Sequence, residues 1–180
     1  MKDNQLLMLL SIALLAVINI PIFSPFPHVK IRLNVVGCVL PLLLSCGLFW
    51  YCPSLRHLLL LPVLAAVVVG LLCASLTSKG VFMNIVPLVV ITCASSIVCI
   101  LWTEYSGYLS LAPQIAFISA FVGSLIGGDI ARVPLAWMQK RENVAITYNI
   151  GGAGAADALF IAGLTAGILT NIGVSLWRII

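Results

Sequence analysis

Apolar residues run along this chain in six long blocks separated by short polar connections. The first block, Gln5 to Phe23, follows Lys2 and has the length of a signal peptide. It lacks a small-x-small cleavage site and continues into INIPIF, so it reads as a retained first helix. SPFPHVKIR then carries Lys30 and Arg32. The second block, Leu33 to Tyr51, ends in Trp50 and Tyr51, which suit a membrane interface. CPSLRH reads as a short turn. The third block runs from about Leu58 to Leu76, and the fourth from about Phe82 to Trp102, followed by the loop TEYSGY. The fifth spans about Pro113 to Met138 and leads into KREN, Lys140 to Asn143, the most polar turn of the chain. The last block, Val144 to Trp177, covers roughly 34 residues, well above the ~20 that one span needs. Glycines at the density of NIGGAG weaken a helix. A broken or late-starting last helix is expected, regular from about Ala153.

Composition turns these blocks into membrane spans. The chain is 62% hydrophobic and 8% charged, with a mean hydropathy of +1.21, which belongs to an integral membrane protein. At ~20 residues per span, 180 residues accommodate about six helices. The expectation is an all-α, polytopic helix bundle, one transmembrane domain over 1–180, with the lipid bilayer as its first partner. The net charge of +4 is spread over loops, and no basic stripe with interleaved aromatics points to nucleic acid. The cysteines Cys38, Cys46, Cys52, Cys73, Cys93 and Cys99 form no C-x-x-C. They read as small packing residues rather than metal ligands, and no cofactor motif is present. His28 and His57 flank spans and read as interfacial. Six spans put both termini on one side with Lys2, Arg56 and Arg178. The other side holds Lys30, Arg32, Lys79, Lys140 and Arg141, so the positive-inside rule places KREN in the cytoplasm.

Three charged residues fall well within the apolar blocks: Asp129, Arg132 and Asp157. A charge at the bilayer centre costs about 2.5–3.5 kcal/mol even on a lenient scale, so such residues usually face the bundle interior and act there. Folding the last two blocks back on each other about KREN brings Asp129 and Asp157 to similar depth. Glycines accompany both: Gly123, Gly127 and Gly128 before Asp129, and Gly151, Gly152 and Gly154 before Asp157. Gly163 and Gly167 form a small-xxx-small pair that lets helices approach. Two adjacent carboxyls cannot both ionise; one can activate water while the other protonates a carbonyl oxygen. Asp129 and Asp157 are therefore the candidate catalytic pair. Asn19, Asn34 and Asn149, with Gly151, Gly152 and Gly154, are candidates to line the substrate cavity.

Structural roles compete with each assignment. Asp129 and Arg132, at i and i+3, can neutralise one another. Asp157 can cap the N-terminus of the last helix. Asn19, Asn34, Asn149 and Asn171 can satisfy backbone groups at helix breaks. Pro41, Pro62, Pro87 and Pro134 read as kinks.

The combination of a glycine-flanked Asp on one helix and an Asp on another is similar to intramembrane aspartyl proteases, the presenilins, signal peptide peptidases and prepilin peptidases. Their motif is Gly-x-Gly-Asp, whereas this chain has Ile-Gly-Gly-Asp and no Pro-Ala-Leu after Asp157. NIP at Asn19 to Pro21, NVVGCVLPLLLS from Asn34, GGDIARVP from Gly127 and NIGGAGAADALFIAG from Asn149 together resemble a bacterial and archaeal family of polytopic membrane proteins catalogued as domain of unknown function 1614. That family carries an Asp at both positions matching Asp129 and Asp157, and a second glycine where this chain has Val36. The resemblance implies a prokaryotic inner-membrane protein with two linked Asp motifs, and it implies no reaction. The expected function is an intramembrane aspartyl protease-like hydrolase acting on a membrane-embedded peptide. The alternatives are a small proton- or ion-coupled transporter for a small solute, using the same aspartates, and a non-catalytic structural subunit.

Overall fold

A computed structural model describes residues 18–22, 29–73, 75–77, 80–82, 85–138, 146–151 and 157–179. The body of the first predicted helix, the KREN turn, Gly152 and Gly154 lie outside the described residues. Three helical stretches are long and apolar enough to cross a membrane, Leu88–Tyr105, Leu109–Arg132 and Ala158–Trp177. Two shorter apolar helices, Val35–Tyr51 and Leu60–Cys73, complete the described bundle. The fold is mainly helical, with one addition to the all-α expectation. Strands β1 (Asn19–Ile22), β2 (Val29–Asn34) and β5 (Ile146–Ile150) form a small sheet in the order β1-β2-β5.

Local chemistry sets the helix boundaries. Asn34 ends β2 in an extended conformation, and its side chain accepts hydrogen bonds from the backbone N–H of Val36 and Gly37. This caps a π turn, Val35–Val39, that runs directly into α1 (Leu40–Tyr51). Pro41 lies just past the π turn, seven residues into this continuous helix, where it offers no N–H to the turn before it. CPSLRH is more than a turn: Pro53 opens a short helix, α2 (Pro53–Leu58), that buries Leu55 and Leu58. Helix α3 (Leu60–Cys73) follows. It leads to a hairpin of β3 (Ser75–Thr77) and β4 (Gly80–Phe82), which ends the third block earlier than its hydropathy suggests. Helix α4 (Ile85–Tyr105) takes in the first residues of the expected TEYSGY loop. A 3-10 turn at Leu109–Leu111 leads into α5 (Ala112–Gly123). A π turn (Ser124–Asp129), a 3-10 turn (Ile130–Arg132) and α6 (Val133–Met138) continue it. Helix α7 (Ala158–Trp177) closes the bundle.

Strands β2 and β5 are parallel, so α1 and α7 leave the sheet in the same direction. Helix α4 runs alongside α7: Ser96 Oγ donates to the Ala166 carbonyl, and Gly173 approaches Ile100. Helix α5 runs the opposite way, with Gly163 against Phe117 and Phe121 and Gly167 against Pro113. It also lies against α3 at backbone distance, because a Cβ on Gly127 would fall 2.4 Å from the Val67 carbonyl oxygen. Trp50, Tyr51, Tyr105, Tyr108 and Trp177 are exposed at the end away from the sheet, an aromatic belt at one interface. Lys30 and Arg32 lie on β2 at the other end. The 20 residues of α7 span about 30 Å, one hydrocarbon core. By length, Asp157 therefore sits at the boundary of the apolar slab rather than at its centre, where a charge costs less.

Candidate functional site at the foot of the last helix

The sheet end gathers two interruptions of regular helix, the π turn before α1 and the π turn after α5, with Gly151 after β5 and Asp157 before α7. Isolated π turns are rare and occur often at functional sites. Gly151 specifies the close approach of the end of β5 to the first of them. Its φ is +71°, and a Cβ there would lie 2.8 Å from the Gly37 carbonyl carbon and 2.9 Å from the Cys38 Cβ. Glycine meets both demands, the left-handed backbone and the close approach. An apolar cluster including Ile31, Cys38, Leu125, Tyr148 and Leu159 joins the sheet to the π turns and to α7.

Two carboxyls border this cluster. Asp157 is extended (φ −70°, ψ 141°), and its Oδ1 accepts the Leu159 N–H at 2.9 Å, so it caps α7. The regular helix starts at Ala158, later than the expected Ala153, because this cap fixes the first turn. Asp129 is the last residue of the π turn. The Tyr148 hydroxyl donates to its backbone carbonyl at 3.0 Å, tying β5 to that turn. Burial pushes the Tyr148 hydroxyl up, the Asp129 carboxylate adds to this and Arg132 opposes it, so Tyr148 remains a donor. The Asp129 and Asp157 carboxyls lie within each other's electrostatic reach. The Cys38 thiol lies within reach of both. Both carboxyls are partly buried.

The remaining predicted residues divide between this point and its surroundings. Arg132 directs Nη2 to the Leu71 carbonyl of α3, so one arm of its guanidinium serves a helix C-terminus. Asn34 is fully buried, and its Nδ2 donates to Asn19 Oδ1 at 3.4 Å. Asn19 is expected at the end of a helix but belongs to β1, paired with Asn34 across the strands. Ile20 and Ile22 of β1 lie opposite Leu33 and Ile31 of β2, and all four residues of β1 are exposed. Asn149 is exposed on β5 and pairs with Arg32. Among the described residues, no three His, Cys, Asp or Glu side chains converge to hold a metal ion.

Sequence reasoning passed over Tyr148 and Ser124. The signal for Tyr148 was strand alternation in ITYNI, where Tyr148 and Ile150 are buried and Thr147 and Asn149 exposed. For Ser124 no sequence signal marks its place as the first residue of a π turn.

A helical bundle of this hydropathy, with a basic sheet end and an aromatic far end, defines a polytopic membrane protein. The sequence profile of the family described as Protein of unknown function (DUF1614) matches residues 4–169, and the chain belongs to that family. No curated protein and no solved structure matches the chain.

Proposed function

We propose that this protein is a membrane-embedded hydrolase of the aspartyl type, with Asp129 and Asp157 as its working carboxyls. The observation that carries the reading is that two carboxyls from separate elements, one ending the π turn and one starting α7, flank the same apolar cluster through Tyr148 and Leu159. Asp157, held at a helix N-terminus, is the ionised partner; Asp129 carries the proton. In the proposed reaction a water oxygen attacks a peptide carbonyl carbon and its proton passes to Asp157. Asp129 gives its proton to the carbonyl oxygen. Collapse of the resulting diol breaks the C–N bond: the nitrogen leaves with the proton held by Asp157, and a diol hydroxyl returns a proton to Asp129, restoring the pair. Asn149 and the glycines of NIGGAG would line the path of an unwound substrate backbone.

The strand-crossed sheet supports a second reading. Irregular backbone among discontinuous helices is the hallmark of solute sites in secondary transporters. In that reading the same carboxyls carry protons coupled to a small solute.

One preparation tests both. The protein in liposomes is offered membrane-spanning peptides, and products are read by mass spectrometry beside internal pH. Under the hydrolase reading the wild type cleaves peptide bonds, and Asp129→Asn and Asp157→Asn each abolish cleavage with folding intact. Solute-dependent proton uptake without cleavage, lost in both variants, would replace the hydrolase with the transporter.

A further inference from the structure

Asn171 stands apart from the other polar residues of the last helix. The sequence allows it a place at a helix break, but α7 runs unbroken from Ala158 to Trp177. By helical rise it lies about 20 Å along α7 and about 9 Å short of Trp177, inside the apolar slab. Its side chain is exposed. Its neighbours Ile168 and Ile172 are each 52% exposed, so this face meets lipid. Thr165, Thr170 and Ser175 each donate to the carbonyl four residues back on their own helix, which spends their hydroxyls locally. The Asn171 amide, with two donor hydrogens and an acceptor oxygen, has no hydrogen bond to another described residue. Hydrocarbon offers such a group no partner, and in membranes an asparagine is met by a neighbouring helix.

The face says which helix. Leu164, Ile168, Asn171 and Ser175 are all exposed and follow one another at steps of four, three and four. At 3.6 residues per turn they fall within about 60° of arc. That is the 3.5-residue seam which two helices share in a left-handed pair. Two copies inserted in the same sense are related by a two-fold axis along the membrane normal. The axis sets α7 parallel to its copy, with each residue level with itself. A carboxamide is self-complementary: its N–H reaches the oxygen of a second carboxamide while the reverse bond closes the pair. A two-fold interface supplies that arrangement without further requirement. Any other helix would have to present a matching polar group at the same depth.

We propose that a second copy of this chain covers this face, forming a parallel two-fold dimer through α7 with the two Asn171 amides paired in its seam. The dimer does not rest on the hydrolase reading.

The test uses the full chain, tagged with donor and acceptor fluorophores, in liposomes of increasing lipid-to-protein ratio. Energy transfer should report a dimer that dissociates on dilution. Asn171→Leu keeps the apolar packing and should raise the dissociation constant about 3- to 30-fold, the worth of an interhelical polar contact. Ser175→Ala should leave it unchanged. A photo-crosslinking residue in place of Ile168 should join two copies. The same residue in place of Val68, exposed on α3, should not. A chain that stays monomeric at every ratio overturns the proposal, as does a dimer equally tight in Asn171→Leu. Crosslinks from position 168 to residues 1–17 of the same chain, or to lipid alone, overturn it by giving the face another occupant. Should Asn171→Leu fail to fold, the crosslink from position 168 decides.

Discussion

Two helices of this protein start in the same way and end up with different tasks. Helix α1, through its π turn, and helix α7 each come after one of two parallel neighbouring strands, β2 and β5, in the chain. Each is capped by a side-chain oxygen from an extended residue, Asn34 at φ −75°, ψ 137° and Asp157 at φ −70°, ψ 141°. Asn34 is fully buried, and its oxygen serves two backbone N–H groups at 3.0 and 2.9 Å. Its amide reaches a second asparagine, Asn19. Asp157 is partly buried, takes one N–H, and feels a second carboxyl. A neutral amide suffices for capping, since Asn and Asp are equivalent there. The charge at the second helix start suits the positive end of the helix dipole, and on the hydrolase reading it also serves chemistry.

Substitutions can break this comparison, and the largest expected effects fall on turnover. Asp157→Asn keeps the cap, so thermal unfolding should move little, while peptide cleavage falls by about 10²–10⁴-fold, the usual worth of a general base. Asp129→Asn should give a similar loss. A stability loss equal to that of Asp157→Ala, with turnover retained, would make the two helix starts alike and both structural. Gly151→Ala comes next. It puts a Cβ in the left-handed region at 2.8 Å from the Gly37 carbonyl carbon. It should cost about 1–3 kcal/mol in unfolding measurements.

Smaller effects sharpen the contrast. Asn34→Ala removes a buried cap and should lower stability by about 1–2 kcal/mol without a separate effect on turnover per folded molecule. Asn34→Asp, tested in the same unfolding assay, asks whether a charge is tolerated at the neutral start. Full burial predicts that it is less stable than the wild type although the cap geometry is kept. Tyr148→Phe removes the bond to the Asp129 carbonyl. It should cost about 1 kcal/mol, and it tests whether the π turn is held from β5.

Hydropathy located the three long spans, Leu88–Tyr105, Leu109–Arg132 and Ala158–Trp177, because burial in lipid demands uninterrupted apolar length. It did not locate the sheet. Asn19 to Ile22 and Ile146 to Ile150 are apolar enough to pass for helix, and their pairing with β2 is set by long-range register, which hydropathy does not encode. The excess length of the last block was legible and pointed to a break. The start of α7 was misjudged by some residues because glycine density marks where a helix weakens, while the cap at Asp157 marks where it resumes. Asp129 and Asp157 stood out as charges among apolar residues. Their partners did not: besides the i, i+3 pairing with Asp129 that the sequence allows, Arg132 sends its Nη2 to the Leu71 carbonyl across on α3. The intervening π and 3-10 turns alter the angular spacing that the sequence rule assumes.

The most direct test of the central claim is the distance between the Asp129 and Asp157 carboxyl groups in an experimental structure of the protein in lipid. A proton-sharing pair predicts less than about 7 Å, close enough for one water to join them. A separation above about 12 Å, with Asp157 serving only as the cap of α7, would contradict it.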